Sequence, residues 1–162
     1  MAKKTARKKP SAIEEISEEG LSSNQKAQLR SAKAYLRQMI KTMADPDTTP
    51  FDLELSQKYS KESKLKACFE NCYKLFLYSE KTEFPFKKAK YVEGYVWNQD
   101  GPQITIHHAW IELDGKIVDP TRIVLAKKTK AVLNWYYKAK RRVSGKTLMM
   151  ALAEGRIPLL DE

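Results

Sequence analysis

The sequence predicts an α+β fold in which helices lead and a small antiparallel sheet follows. Three observations carry this. Up to about residue 79, apolar residues recur at i, i+3, i+4 and i+7, the spacing of a helix face. After Pro85 the period changes to two, in segments rich in β-branched and aromatic residues. Between two of those segments stands Asp114-Gly115, a strong short-range hairpin signal.

The elements follow in order. Ser23 or Asn24 is placed to cap a helix running to about Met43, with Leu29, Ala32, Leu36 and Ile40 on its apolar face. The turn-rich DPDTTP (45–50) ends it. FDLELSQKYSKES (51–63) reads as a short extended or helical piece, with a cap at Ser60 or Ser63. A second helix is expected over roughly 64–79, with Leu65, Cys68, Phe69, Cys72, Leu75 and Phe76 on one face. Strands are expected over 88–98, 103–113 and 116–121, the last stopped by Pro120, which together make a three-stranded meander. AVLNWYYKAKRRV (131–143) and SGKTLMMALAEGR (144–156) read as two short helices, the second capped by Ser144 and closing near Gly155.

A chain of 162 residues corresponds to about one domain at ~150 residues each, here 21–162 behind a basic arm over 1–20. At this size folding buries ~70% of the unfolded chain's surface. A hydrophobic content of 42% excludes full disorder, and no apolar run approaches the ~20 residues of a membrane span. The basic N-terminus lacks the apolar stretch of a secretory signal, so the expected location is the cytoplasm of the producing or infected cell, with no membrane partner.

The net charge of +10 is unevenly placed. Lys3, Lys4, Arg7, Lys8 and Lys9 fill the arm, and IEEISEE (13–19) nearly cancels them. A second basic block spans 127–146. Nucleic acid is the partner such blocks would attract, and a solvated face is the plainer reading. Trp135, Tyr136 and Tyr137 interleave with Lys138, Lys140, Arg141 and Arg142, either to stack on single-stranded nucleic acid or as core aromatics of an amphipathic helix.

Two chemical readings fail on spacing. Cys68, Cys72, His107 and His108 supply four metal-ligating groups, but adjacent histidines point to opposite strand faces, so no metal is expected. Ser144-Gly145-Lys146-Thr147 lacks the earlier glycine of a phosphate-binding loop, since position 140 is Lys.

A third reading holds. Alternation places His108 with Ile104, Ile106 and Trp110 on one strand face, and His107 with Ala109, Ile111 and Leu113 on the other. The hairpin folds Asp119 back toward His108, in a register that spacing leaves open. Cys68 rides on a helix packed against the sheet. A thiol is mostly protonated at neutral pH; an imidazolium and a helix N-terminus stabilise its thiolate. The carboxylate orients the imidazole, which then protonates a leaving amine.

CFENC (68–72), YVEGYV (91–96) and HAWIELDGKIVDPT (108–121) together resemble the core of the transglutaminase-like superfamily, within the papain-like cysteine fold. The resemblance covers about a third of the chain and extends to small domains of phage and bacteria. It implies a Cys68–His108–Asp119 triad that cleaves or exchanges amide bonds of peptides or proteins, with no cofactor. Cys68 is preferred to Cys72, and His108 to His107 by registration of the Ala-Trp pair. The family often has Gly two residues before the nucleophile, where this chain has Lys66. A Ser63 cap would also place Cys68 in the second helical turn rather than at the start. The Cys68 amide is the natural oxyanion donor and Gln57 a second candidate. Tyr95 and Trp110 are candidates to line the substrate cleft, Trp110 also as packing over the site. Gly94 permits close backbone approach. A non-catalytic protein binding nucleic acid or another protein on the same scaffold is the alternative function.

Overall fold

The structure, a computed structural model, describes residues 17–99, 105–130 and 134–157. The basic arm lies almost wholly outside these residues, as does the expected Asp100-Gly101-Pro102 turn. Chain contacts divide the protein into two compact units, Met1–Ala44 and Asp45–Glu162. In the first, α1 (Ser23–Met43) starts from a Ser22 capping box completed by Gln25. Arg30 there grips Glu18 through both carboxylate oxygens.

The second unit is α+β. Its elements are α2 (Leu53–Tyr59), α3 (Cys68–Leu77), α4 (Ser79–Thr82), β1 (Lys90–Asn98), β2 (Ile106–Leu113), β3 (Lys116–Val118), α5 (Pro120–Thr129), β4 (Trp135–Ser144) and α6 (Gly145–Ala153). The four strands form one antiparallel sheet in the order β3-β2-β1-β4. Asp114 and Gly115 both have positive φ, as the tight β2–β3 turn demands.

Each sheet face carries a core. On one, Cys72, Leu75 and Phe76 of α3 pack with Tyr91, Ala109 and Ile111 of the strands and with Leu148 and Ala151 of α6. On the other, Val92, Val96, Trp110, Ile117 and Tyr137 pack together. Burying each large side chain contributes roughly 1.5–3 kcal/mol, so both faces hold the sheet. Gly94 is required between them. A Cβ there would lie 2.1 Å from the Lys138 carbonyl oxygen, at the bulge where the β1–β4 register shifts.

Three expectations are corrected. Residues 131–143 do not form a helix: 131–133 lie outside the described residues, and Trp135–Ser144 is β4, paired along β1 from Asn98 to Lys90. Its consecutive aromatics do not fix a period, and its pairing partner lies far away in sequence. The sheet therefore has four strands rather than three. The segment 116–121 is a strand only to Val118. Asp119 then caps α5 by accepting from the Arg122 amide, and Pro120 opens it, where a missing N–H removes no helical bond. Finally, α3 starts at Cys68 rather than near residue 64.

Candidate active site

Cys68 is the first residue of α3, and the approach to it explains why. Lys66 has φ +60°, the left-handed conformation that a glycine adopts most readily. Ala67, at φ −123° and ψ 44°, turns the chain into the helix without a side-chain cap. The first-turn amides are thus left to other acceptors. One of them, from Phe69, bonds the Cys68 sulfur. The loop ahead is fixed by Asn71, whose amide accepts from the Lys64 N–H at 2.8 Å and donates to the Lys64 carbonyl at 2.7 Å. Asn71 also donates to Thr121 Oγ1 at 2.9 Å, tying α3 to the start of α5.

α3 packs on the face bearing Ala109 and Ile111, whereas His108 points to the opposite one. Thiol and imidazole meet because β3 is short. It ends at Val118, opposite Ile111, so the earlier residues of β2 have no β3 partner. The N-terminal end of α3 occupies that edge. The Ala109 N–H bonds Cys68, and the Ala109 carbonyl accepts from Cys72 Sγ at 3.3 Å. Cys68 remains half-buried and hydrogen-bonds His108; Cys72 is fully enclosed.

His108 Nε2 lies 2.8 Å from Asp119 Oδ2, which leaves Nδ1 for the thiol. Asp119 is fully buried and anchored at every polar atom of its side chain. Oδ2 also accepts from Tyr137 Oη at 2.9 Å, and Oδ1 from the Arg122 amide at 3.0 Å. The Asp119 N–H donates to Ser56 Oγ at 3.0 Å. Trp135 meets His108 in a T-shaped contact at 5.3 Å between centroids, and Trp110 lies nearly parallel to His108 at 6.4 Å.

The electrostatics follow from this packing. Burial opposes ionisation of Cys68, but the hydrogen bond and charge of His108, with the Ala109 and Phe69 amides, outweigh it and lower the thiol's pKa. Burial likewise opposes the imidazolium. Asp119, joined by the bond to Cys68, overcomes it and pushes His108 up to about 10. Burial raises Asp119, yet His108, the Arg122 amide and Tyr137 hold it below the usual carboxylate value. Cys72 is pushed the other way, well above an ordinary thiol, by burial and by Asp119. The two cysteines, one helical turn apart, thus have opposite chemistry.

Cys68, His108 and Asp119 are brought together. The other candidates are placed elsewhere. Gln57 is exposed on α2, and its neighbour Ser56 is the α2 residue that reaches Asp119. Trp110 is wholly buried among Val92, Val96 and Tyr137, presenting no surface to a cleft. Tyr95 stands opposite His107, on the face away from His108. His107 faces the buried Glu93 at 3.5 Å and Phe69 at 5.0 Å. Among the described residues, no group of three or more His, Cys, Asp or Glu is placed to hold a metal. Ser56, Asn71, Trp135 and Tyr137 are the supporting residues that sequence reasoning missed. Only the aromatics carried a signal, and it was assigned to a helix.

Scans against family models, curated proteins and solved structures return no match for this chain.

Proposed function

We propose that this protein is a cysteine-dependent amide or isopeptide hydrolase, or an acyl transferase, of transglutaminase-like type. One observation carries the reading: a half-exposed thiol opens a helix and bonds a buried histidine, which a buried aspartate holds from the other side. Thiol, imidazole and carboxylate in that relay are the parts that nucleophilic acyl chemistry requires. The order of nucleophile helix, Gly-Tyr strand, His-Ala-Trp strand and Asp-Pro turn supports the assignment to the papain-like fold.

The Cys68 thiolate attacks the amide carbonyl carbon, forming a C–S bond and an oxyanion. The amide of Cys68 itself, at the uncapped helix start, is the donor for that oxygen. Collapse breaks the C–N bond while His108 gives its Nδ1 proton to the leaving amine. The thioester then meets water or a second amine. His108 takes a proton from that nucleophile, the C–S bond breaks, and an acid or a new amide leaves. Asp119 holds His108 in the tautomer that aims Nδ1 at sulfur, and Trp135 screens the pair from water. The substrate is a peptide or protein amide, and the setting is the cytoplasm.

The test is alkylation of Cys68 by iodoacetamide across pH, read by peptide mass mapping in wild type, Cys68→Ala and His108→Ala. Cys68 is expected to titrate below the ordinary thiol value of 9.0, with Cys72 unlabelled. His108→Ala is expected to return Cys68 to 9.0 or above and to slow labelling at pH 7 by about tenfold or more, in proportion to thiolate lost. An ordinary thiol indifferent to His108 would end the catalytic reading.

One observation favours a second role on the same scaffold. Lys127, Lys128, Lys130, Lys140 and Lys146 are all exposed and form no ion pair among the described residues. Nucleic-acid binding through them would fall steeply with salt and survive Cys68→Ala.

A further inference from the structure

A cavity of about 390 Å³ lies between α2, the turn after it, α3 and α4. That volume is within the range of sites for small molecules, roughly 300–1,000 Å³. Four lysines line it, Lys58, Lys61, Lys74 and Lys81, against one carboxylate, Glu62. Two of the four are engaged. Lys74 bonds Glu70 on its own helix, and Lys58 lies 3.9 Å from Glu83. Lys61 and Lys81 form no ion pair among the described residues, and the Lys81 ammonium rests 5.9 Å from the Tyr78 ring centroid.

Three neutral polar side chains of the lining, Ser63, Thr82 and Asn71, have their donors already committed. Ser63 and Thr82 donate their hydroxyls to the carbonyls of Tyr59 and Tyr78, four residues back. The Asn71 amide is taken up by Lys64 and Thr121. A neutral polar ligand would therefore meet few free donors here. The ammonium groups remain, each with three protons to give. Like charges gathered around a concave, low-dielectric wall focus a positive potential into it. An anion with several oxygens relieves that repulsion and engages Lys61 and Lys81, which form no ion pair among the described residues.

We propose that this cavity binds a small phosphate-bearing molecule, held by Lys61 and Lys81. The inference is independent of the cysteine chemistry, since none of the triad lines the cavity. An occupant with two anionic groups engages both free lysines and binds more tightly than one with a single group.

The test is thermal unfolding of the full chain titrated with inorganic pyrophosphate, orthophosphate or sulfate at matched ionic strength. Four proteins are compared: wild type, Cys68→Ala, Lys61→Glu/Lys81→Glu, and the control Lys87→Glu/Lys88→Glu, which alters exposed lysines outside the cavity. Pyrophosphate is expected to raise Tm saturably in wild type, Cys68→Ala and the control. Its half-saturating concentration is expected to be lower than that of orthophosphate or sulfate. The cavity variant is expected to need at least tenfold more pyrophosphate. No saturable rise in wild type overturns the proposal, as does a rise in the cavity variant within threefold of wild type. If the charge reversal prevents folding, Lys61→Gln/Lys81→Gln is read by the same criteria. Loss of Cys68 reactivity together with intact pyrophosphate binding would remove the catalytic reading and leave this one standing.

Discussion

Lys66 is the residue on which the position of Cys68 turns. Its φ of +60° lets the chain reverse into α3 immediately before Cys68. A side chain in that conformation costs roughly 1–2 kcal/mol, and a glycine escapes that cost at a loss of about 0.5–1 kcal/mol in unfolded-chain entropy. Lys66→Gly is therefore expected to stabilise the protein by about 0.5–1 kcal/mol in urea unfolding and to leave Cys68 labelling unchanged. A destabilised variant would show that the Lys66 side chain itself holds the loop. The residue also explains the misplaced start of α3. The apolar spacing of Leu65, Cys68, Phe69 and Cys72 extends ahead of the true terminus. Nothing in a lysine signals a left-handed backbone, whereas glycine would have marked it. Strand alternation separates His107 and His108 onto opposite faces but does not choose between them; His108 is preferred by registration of the Ala-Trp pair, and α3 itself packs on the other face.

At the scale of elements, the site depends on where strands stop. β3 ends at Val118, and that short length exposes the Ala109 peptide to both cysteines. The sequence marks this stop with Asp119-Pro120, but the same pair also begins a helix. Read as a strand end, it hides α5 and the role of Asp119 as a cap. β4 was hidden more deeply. Trp135, Tyr136 and Tyr137 stand in a row, and the bulge opposite Gly94 breaks the alternation that would identify a strand. With β4 misread, Tyr137 and Trp135 could not be placed beside Asp119 and His108. Gly94 is the joint of this arrangement, since it pairs with His108 on one side and Ala139 on the other. An added methyl would meet the Lys138 carbonyl oxygen at 2.1 Å and Trp110 Cη2 at 2.9 Å. Backbone cannot yield as a side-chain tip can, so Gly94→Ala is expected to lose about 2–3 kcal/mol. The strain falls on the strand facing His108, so Cys68 labelling at pH 7 should slow as well. A urea midpoint equal to wild type would mean that the bulge absorbs the methyl and that β4 is not held to β1 here.

For the whole molecule, the triad links folding to pH in two directions. His108 is raised from 6.5 to about 10 in the folded state, against its burial and by Asp119. Its contribution is complete below pH 6.5, declines above that, and is gone once pH passes about 10. Asp119 is lowered from 3.8, so its contribution is present above pH 3.8 and is lost as pH falls through the folded value. The pair therefore stabilises most between these limits, from about pH 4 to 6.5. Cys68 acts oppositely on the alkaline side: its lowered pKa adds stability as pH rises toward 9.0. Cys68→Ala removes that offset and isolates the His108–Asp119 pair. In this background, the gap in Tm between Asp119 and Asp119→Asn is expected to be widest near pH 5–6 and to narrow steadily above pH 6.5 toward a constant offset, as His108 loses its proton. It should narrow again below pH 3.8. Removing an acceptor from a buried histidine is costly at any pH, so a constant offset could hide a weak pair; the slope with pH is what separates the cases. A gap that stays flat from pH 5 to 10 would mean that His108 folds as a neutral ring. The thiolate would then have no imidazolium beside it, and the proposed amide cleavage would lose its proton donor.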